Sequence, residues 1–215
     1  MSDVLAAMFD SAARSRGGRP QGPKGRERGD PPPHGRDESF NDDREFFARA
    51  RNAYMAVTPS VGRLLYQLTR LRGATSVVEF GTSFGVSTVH LGAAVLDNGG
   101  GTVIGTEYET NKVEATRRSV ADAGLTGIVE VREGDATETL ARDLPDAVHL
   151  LFLDGAKGMY LEVFELLESR LGAGAVVVAD NAARAPEFLD HLGTAPGWLL
   201  TVLEGEDLAI ALRTG

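Results

Sequence analysis

Cysteine is absent from the 215 residues, and with it go disulfides, thiolate zinc sites, iron–sulfur clusters and a cysteine nucleophile. Any metal held here must therefore be bound through oxygen or nitrogen. The four histidines, at positions 34, 90, 149 and 191, show no ligand spacing. Long apolar runs are also missing. Stretches such as 148–153 and 175–179 fall far short of the roughly 20 residues that span a bilayer, and the N-terminus lacks an apolar signal core. The expected setting is cytoplasmic, with no membrane partner. Positive charge is in deficit too: 22 Lys and Arg face 31 Asp and Glu, a net −9. Nucleic acid is disfavoured, because its phosphates must be neutralised by a basic surface. Small molecules are the expected partners, and a homodimer is compatible with this composition without being required by it.

What is present supports a single core. With 42% hydrophobic and 25% charged residues, the chain has enough apolar side chains for one globular domain. Residues 15–36 are the exception, rich in Gly, Pro and Arg and nearly devoid of apolar side chains, so burial cannot offset their ordering entropy. Residues 1–36, with seven Lys and Arg against four Asp and Glu, are expected to be a disordered tail. Within them, 4–13 has Leu5, Met8 and Phe9 at the spacing of a short amphipathic helix. Residues 37–215 are expected to form the domain, opening with two helices: one carrying Phe46, Phe47, Ala50 and Tyr54, the other Val61, Leu64, Leu65 and Leu68 after Thr58-Pro59.

Short, often valine-rich apolar runs then alternate with helical patterns. The strands are expected at 76–80, 102–106, 128–132, 148–153 and 175–179. The helices are expected at 87–96, 110–123, 159–170 and 186–192, with Gly124 and Gly172 as caps. This order specifies a doubly wound, mostly parallel sheet covered on both faces by helices. The segments 199–203 and 208–213, separated by Glu-Gly-Glu-Asp, form an antiparallel hairpin that brings the sheet to seven strands.

The chemistry gathers where the strands end. The first strand runs into Glu79-Phe80-Gly81-Thr82-Ser83-Phe84-Gly85, a glycine turn opening a helix, where backbone N–H groups and the helix dipole favour an anionic ligand group. The spacing is Glu-x-Gly-x-x-x-Gly, which differs from the dinucleotide pattern by lacking a glycine at Ser83. The next strand leads to Glu107, whose carboxylate can accept both hydroxyls of a ribose. The third is followed by Asp135-Ala136, with Asp135 within reach of an adenine amino group. At the ends of the fourth and fifth strands stand Asp154 and Asp180-Asn181. Two carboxylates and an amide oxygen make a hard, all-oxygen half-shell suited to Mg²⁺, Mn²⁺ or Ca²⁺. A hydroxyl acceptor at such an ion loses its proton more easily, and Lys157, three residues from Asp154, is the candidate general base.

Taken together, these motifs resemble the class I methyltransferases, and Asp154-x-x-Lys157-x-x-Tyr160 with Asp180-Asn181 is similar to the metal motifs of the catechol and caffeoyl-CoA O-methyltransferase family. The resemblance runs from about Tyr54 to the C-terminus. It implies a Rossmann-like fold and methyl transfer from S-adenosylmethionine to a small-molecule hydroxyl, on a metal-chelating phenol or vicinal diol, with Mg²⁺. It also implies that Glu79, Gly81, Thr82 and Ser87 surround the methionine part of the cofactor, Glu107 the ribose, and Asp135-Ala136 the adenine. The late glutamate with which animal catechol enzymes grip the substrate falls near Trp198 here, with Glu204 and Glu206 displaced. Tyr108, Tyr160 and Trp198 are candidates for an aromatic acceptor wall. Two other functions fit the same motifs: a metal-independent methyltransferase in which Asp154 and Asp180 are structural, and a non-catalytic nucleoside-binding or scaffold protein.

Overall fold

The computed structural model describes residues 2–15 and 55–215. The expected helix around Phe46–Tyr54 and the Gly/Pro/Arg segment after residue 15 lie outside the described residues. The amphipathic run near the N-terminus forms helix α1 (Ser2–Ser15), with Asp3 in its first turn and Arg14 in its last, the charge order that suits the helix dipole. Helix α2 (Pro59–Arg72) starts where Thr58-Pro59 places it. The Thr58 side chain accepts from the Val61 N–H, Pro59 takes the first turn, and Gly73 closes the helix at φ 63°, a left-handed cap that glycine adopts without strain.

From there strands and helices alternate: β1 (Ser76–Phe80), α3 (Val86–Asp97), β2 (Thr102–Glu107), α4 (Thr110–Asp122), β3 (Val129–Glu133), the single turn α5 (Ala136–Thr139), β4 (Leu150–Leu153), α6 (Tyr160–Glu168), β5 (Val176–Asp180), α7 (Pro186–Thr194), β6 (Trp198–Leu203) and β7 (Leu208–Arg213). Helix α6 is shorter than the expected 159–170, because Lys157–Met159 is a tight 3₁₀ turn feeding into it and its last residue is Glu168. Gly172 does not act as a left-handed cap; the positive φ after this helix belongs to Gly174, at 77°.

The seven strands form one sheet in the order β3-β2-β1-β4-β5-β7-β6. The first five strands are parallel, with Phe80 opposite Leu153 and Leu153 opposite Ala179. β7 is antiparallel to both β5 and β6. The central strands β1, β4 and β5 are buried on both faces, which is why they read as near-continuous apolar runs. Alternate side chains serve the two sides. Val78, Leu151, Leu153 and Val177 join Phe164, Phe188 and Trp198 in one cluster, while Val77, Leu150, Phe152 and Val178 meet Met8, Val61, Leu65 and Val89 in the other. The chain order reverses between β1 and β4, so the carboxyl ends of the parallel strands open onto a crevice there, the place where ligands bind in sheets of this kind. Among the described residues no helix is long and apolar enough to cross a membrane.

Candidate active site

Glu79 lies on β1 on the same side as Val77 and is fully buried. Its Oε2 accepts from the Thr88 hydroxyl at 2.6 Å, while Oε1 has no hydrogen-bond partner among the described residues. Burial pushes this carboxyl up to about 7, the hydroxyls of Ser87 and Thr88 oppose the shift, and the charges of Asp154 and Glu107 add to it. The glycine turn that follows holds two more unsatisfied groups, Thr82 Oγ1 and Ser83 Oγ. Ser83 is left-handed, at φ 46°. Gly81 is required here: at φ +91°, a Cβ would stand 2.7 Å from the backbone of Gly155. The turn after β1 and the loop after β4 are thereby pressed together. Gly85 is the N-cap of α3, so Ser87 is not a cap, and its hydroxyl is buried near Glu79, whose charge it favours.

Glu107, at the end of β2, organises backbone. Its Oε2 accepts from the Ser83 N–H at 2.8 Å, and its Oε1 from the Tyr108 and Glu109 N–H groups at 3.0 Å each. Burial raises its pKa, and Lys112 and the backbone N–H donors oppose that. Asp135 is the N-cap of α5, accepting from the Thr137 N–H at 2.9 Å, and Ala136 is the first, buried residue of that turn. Glu79, Gly81, Thr82, Ser87, Glu107, Asp135 and Ala136 thus all lie at the carboxyl ends of β1, β2 and β3 or in the turns just beyond them. The buried orphan atoms Glu79 Oε1, Thr82 Oγ1 and Ser83 Oγ call for a partner that offers donors and acceptors together. An α-amino acid group meets that requirement, so the site fits the methionine part of S-adenosylmethionine.

The second half of the crevice is acidic. Asp154 follows β4 and caps no helix; its Oδ1 accepts from Lys157 Nζ at 3.0 Å. Burial pushes Asp154 up to about 7, Lys157 opposes this, and the charge of Asp180 reinforces it. Asp180 ends β5 and is raised by burial, against Lys157 and the Asn181 N–H, with Asp207 and Glu206 adding to the shift. Asn181 comes next at φ 51°, a left-handed position that Asn tolerates better than most residues. Two half-buried carboxylates facing one lysine leave negative charge uncompensated, and with the amide of Asn181 the donor set suits a hard divalent cation. Among the described residues no group of three or more His, Cys, Asp or Glu side chains is arranged to hold a metal.

The structure corrects the expected acceptor wall. Trp198 starts β6 opposite Arg213, and Arg213 bonds to Ala175 at the start of β5, so this indole lies at the edge of the sheet remote from Asp154. There it packs on Phe164 with ring centroids 5.4 Å apart. The physical reason is strand direction: β6 begins at the amino edge, and only the turn after it returns to the crevice, where Leu208 pairs with Asp180. That turn, Glu204–Glu206, and not Trp198, is the part of the hairpin beside the acidic pair. Asp207, unremarked in the sequence, holds the segment after Asn181, with its carbonyl accepting from the Ala182 N–H at 3.1 Å and its Oδ1 from the Ala183 N–H at 2.9 Å. Tyr160 does not present its ring as a wall; the ring is fully buried.

Residues 78–182 match a family of methyltransferase domains. The chain is 30% identical over 152 residues to the catechol O-methyltransferase of Niastella koreensis, across 69% of this chain and 68% of that protein. A Mycolicibacterium smegmatis protein bearing an O-methyltransferase name is 38% identical over 100 residues, and the match spans about half of each, 46% of this chain and 47% of the relative. Among solved structures, the chain is similar to the O-methyltransferase TomG of Streptomyces achromogenes, in complex with S-adenosylmethionine, at 27% identity and a TM-score of 0.66 over 83% of this chain and 91% of that one. It shares the fold of a Bacillus cereus O-methyltransferase at 23% identity and a TM-score of 0.67, over 83% of this chain and 91% of that one.

Proposed function

The chain belongs to the family of class I S-adenosylmethionine-dependent O-methyltransferases, and from that premise we propose that it methylates a hydroxyl of a small phenol or vicinal diol, with Lys157 as base and Mg²⁺ held by Asp154, Asp180 and Asn181. The observation that carries this reading is the ion pair of Lys157 Nζ with Asp154 Oδ1 at 3.0 Å, set beside Asp180 at the carboxyl edge where the cofactor turn also lies.

The chain's own residues divide the work. Glu79, Thr82, Ser83 and Ser87 bind the amino-acid end of the cofactor; Glu107 receives the ribose and Asp135-Ala136 border the adenine. The bound cofactor supplies an electrophilic methyl group on a positively charged sulfur. A bound divalent cation supplies positive charge that acidifies the acceptor hydroxyl. Lys157 takes the acceptor's proton on Nζ. With the cofactor held by these residues, its methyl group would be open to the acceptor oxygen, and the carbon–sulfur bonding pair would leave with sulfur. Alignment of oxygen, carbon and sulfur is the main contribution of the crevice walls.

One observation favours a second reading. Asp154 already holds Lys157, so it could serve only to orient the base in a metal-independent enzyme. A methyl-transfer screen over phenols and vicinal diols, in EDTA and then with Mg²⁺ restored, decides between the two. The proposal expects turnover to vanish in EDTA, to return with Mg²⁺, and to be absent in Asp180→Ala while cofactor affinity is kept. Full wild-type rate in EDTA would favour the metal-independent form. Cofactor binding without methyl transfer to any hydroxyl would overturn both readings and leave a nucleoside-binding protein.

A further inference from the structure

Tyr160 opens α6, and its ring is fixed edge-on against Phe80 and Phe188, with centroids 6.3 and 5.9 Å away. From that rigid seat the hydroxyl emerges at the carboxyl edge of the sheet, 2.8 Å from the carbonyl oxygen of Leu153 and 2.8 Å from that of Asp180. The same oxygen accepts from Lys157 Nζ at 2.7 Å. A phenol has one hydrogen, which is spent on these two carbonyls, so only its lone pairs are available to the lysine. The arrangement therefore has a fixed sense: Tyr160 donates to the ends of β4 and β5 and accepts from Lys157.

An ammonium group carries three hydrogens in tetrahedral directions. Two are directed, one to Asp154 Oδ1 at 3.0 Å and one to the Tyr160 oxygen at 2.7 Å. Neither partner can swing away, because Tyr160 is clamped by its ring and its carbonyls and Asp154 is tied to the end of β4. Among the described residues nothing takes the third. We infer that Tyr160 is a positioning residue whose hydroxyl, together with Asp154, fixes two N–H directions of Lys157 and so turns the third position toward the acceptor hydroxyl. A lysine free to rotate on its four-carbon stem would present this direction only part of the time. The inference rests on Lys157 acting as the base.

A double-mutant cycle on the full chain tests it, using an acceptor the wild type methylates. Lys157→Met alone tests the base: an undiminished rate would sink the reading of Lys157, and the positioning role with it. Tyr160→Phe keeps the ring and removes only the hydroxyl. In the wild-type background it should lower kcat about tenfold, the scale of a slightly misdirected catalytic group, with the acceptor KM and the affinity for S-adenosylhomocysteine unchanged. In the Lys157→Met background it should change kcat little. Equal losses in both backgrounds, or no loss in the wild type, would overturn the inference and leave Tyr160 as a tie between strand ends. Should Tyr160→Phe fail to fold, 3-fluorotyrosine placed at position 160 weakens the oxygen as an acceptor and should give a smaller kcat loss in the same direction; an unchanged kcat would again overturn the role.

Discussion

Glu79 is a carboxylate in a place that opposes its charge, and its cost can be measured. Its pKa is raised from 4.5 to about 7 by burial, so the folded chain holds a proton that the unfolded chain has released. Stability from this group is complete below the unfolded value near 4.5, falls as pH climbs through about 7, and is gone above that, a loss on the order of 3 kcal/mol. Glu79→Gln keeps the shape and should flatten this part of the pH profile for the cofactor-free protein; urea denaturation at stepped pH values gives the comparison, and an identical slope in the mutant would refute it. Glu107 behaves differently. With Glu107→Ala the N–H groups of Ser83, Tyr108 and Glu109 lose their acceptor and the ribose loses a charged partner. S-adenosylmethionine should then bind about 10- to 100-fold more weakly, as removal of charge-assisted hydrogen bonds typically causes; calorimetry showing unchanged affinity would remove the ribose role. Glu107, Asp154 and Asp180 were legible in the sequence because acids that follow apolar strands fall at one edge of a parallel sheet. The loop amides that Glu107 gathers were not, since they depend on a left-handed Ser83 that no spacing announces.

At the level of elements, the glycine turn acts less as a flexible joint than as a contact surface. Gly81 is pressed on the backbone of Gly155, while Gly99, also at positive φ, has nothing within 4 Å of its missing Cβ. Both would suffer from a left-handed Ala, by about 1–2 kcal/mol. Gly81→Ala must also push β1 from β4 and should cost several kcal/mol more than Gly99→Ala, on the order of overpacking a tight core; chemical denaturation of the two variants settles the order, and equal losses would deny the close approach. The central parallel strands β1, β4 and β5 were readable because burial on both faces leaves near-continuous apolar runs. The hairpin was readable as strands but not in its consequences. Its direction decides which end meets the crevice, and that sense placed Trp198 far from the acceptor and Glu206 with Asp207 near Asp180. The one-turn α5 was too short for any periodicity to register. Tyr160 was visible as part of a motif, yet its work as a hydrogen-bonded joint depends on two carbonyls from separate strands.

At the scale of the molecule, the two apolar clusters have different neighbours. The one containing Tyr160, Phe164 and Phe188 runs from the catalytic edge to the opposite edge of the sheet, where it ends at Trp198. The other takes in Met8 of α1, so a helix from the segment expected to be a tail contributes a side chain to the core. Trp198 is the single tryptophan of the chain. Its indole N–H lies 3.4 Å from Glu168 Oε1 and the Arg213 guanidinium sits 5.2 Å above its ring, in a cluster it shares with Phe164 of α6 and Phe188 of α7. The protein thereby carries an intrinsic fluorophore that is deaf to its ligands. Emission should stay constant as S-adenosylhomocysteine, Mg²⁺ or an acceptor is titrated in. In denaturant it should shift to the red in one step, as α6, β6 and β7 part and the indole meets water. Each ligand can therefore be scored by how far it moves that optical midpoint, with no contribution from the binding event itself to the signal.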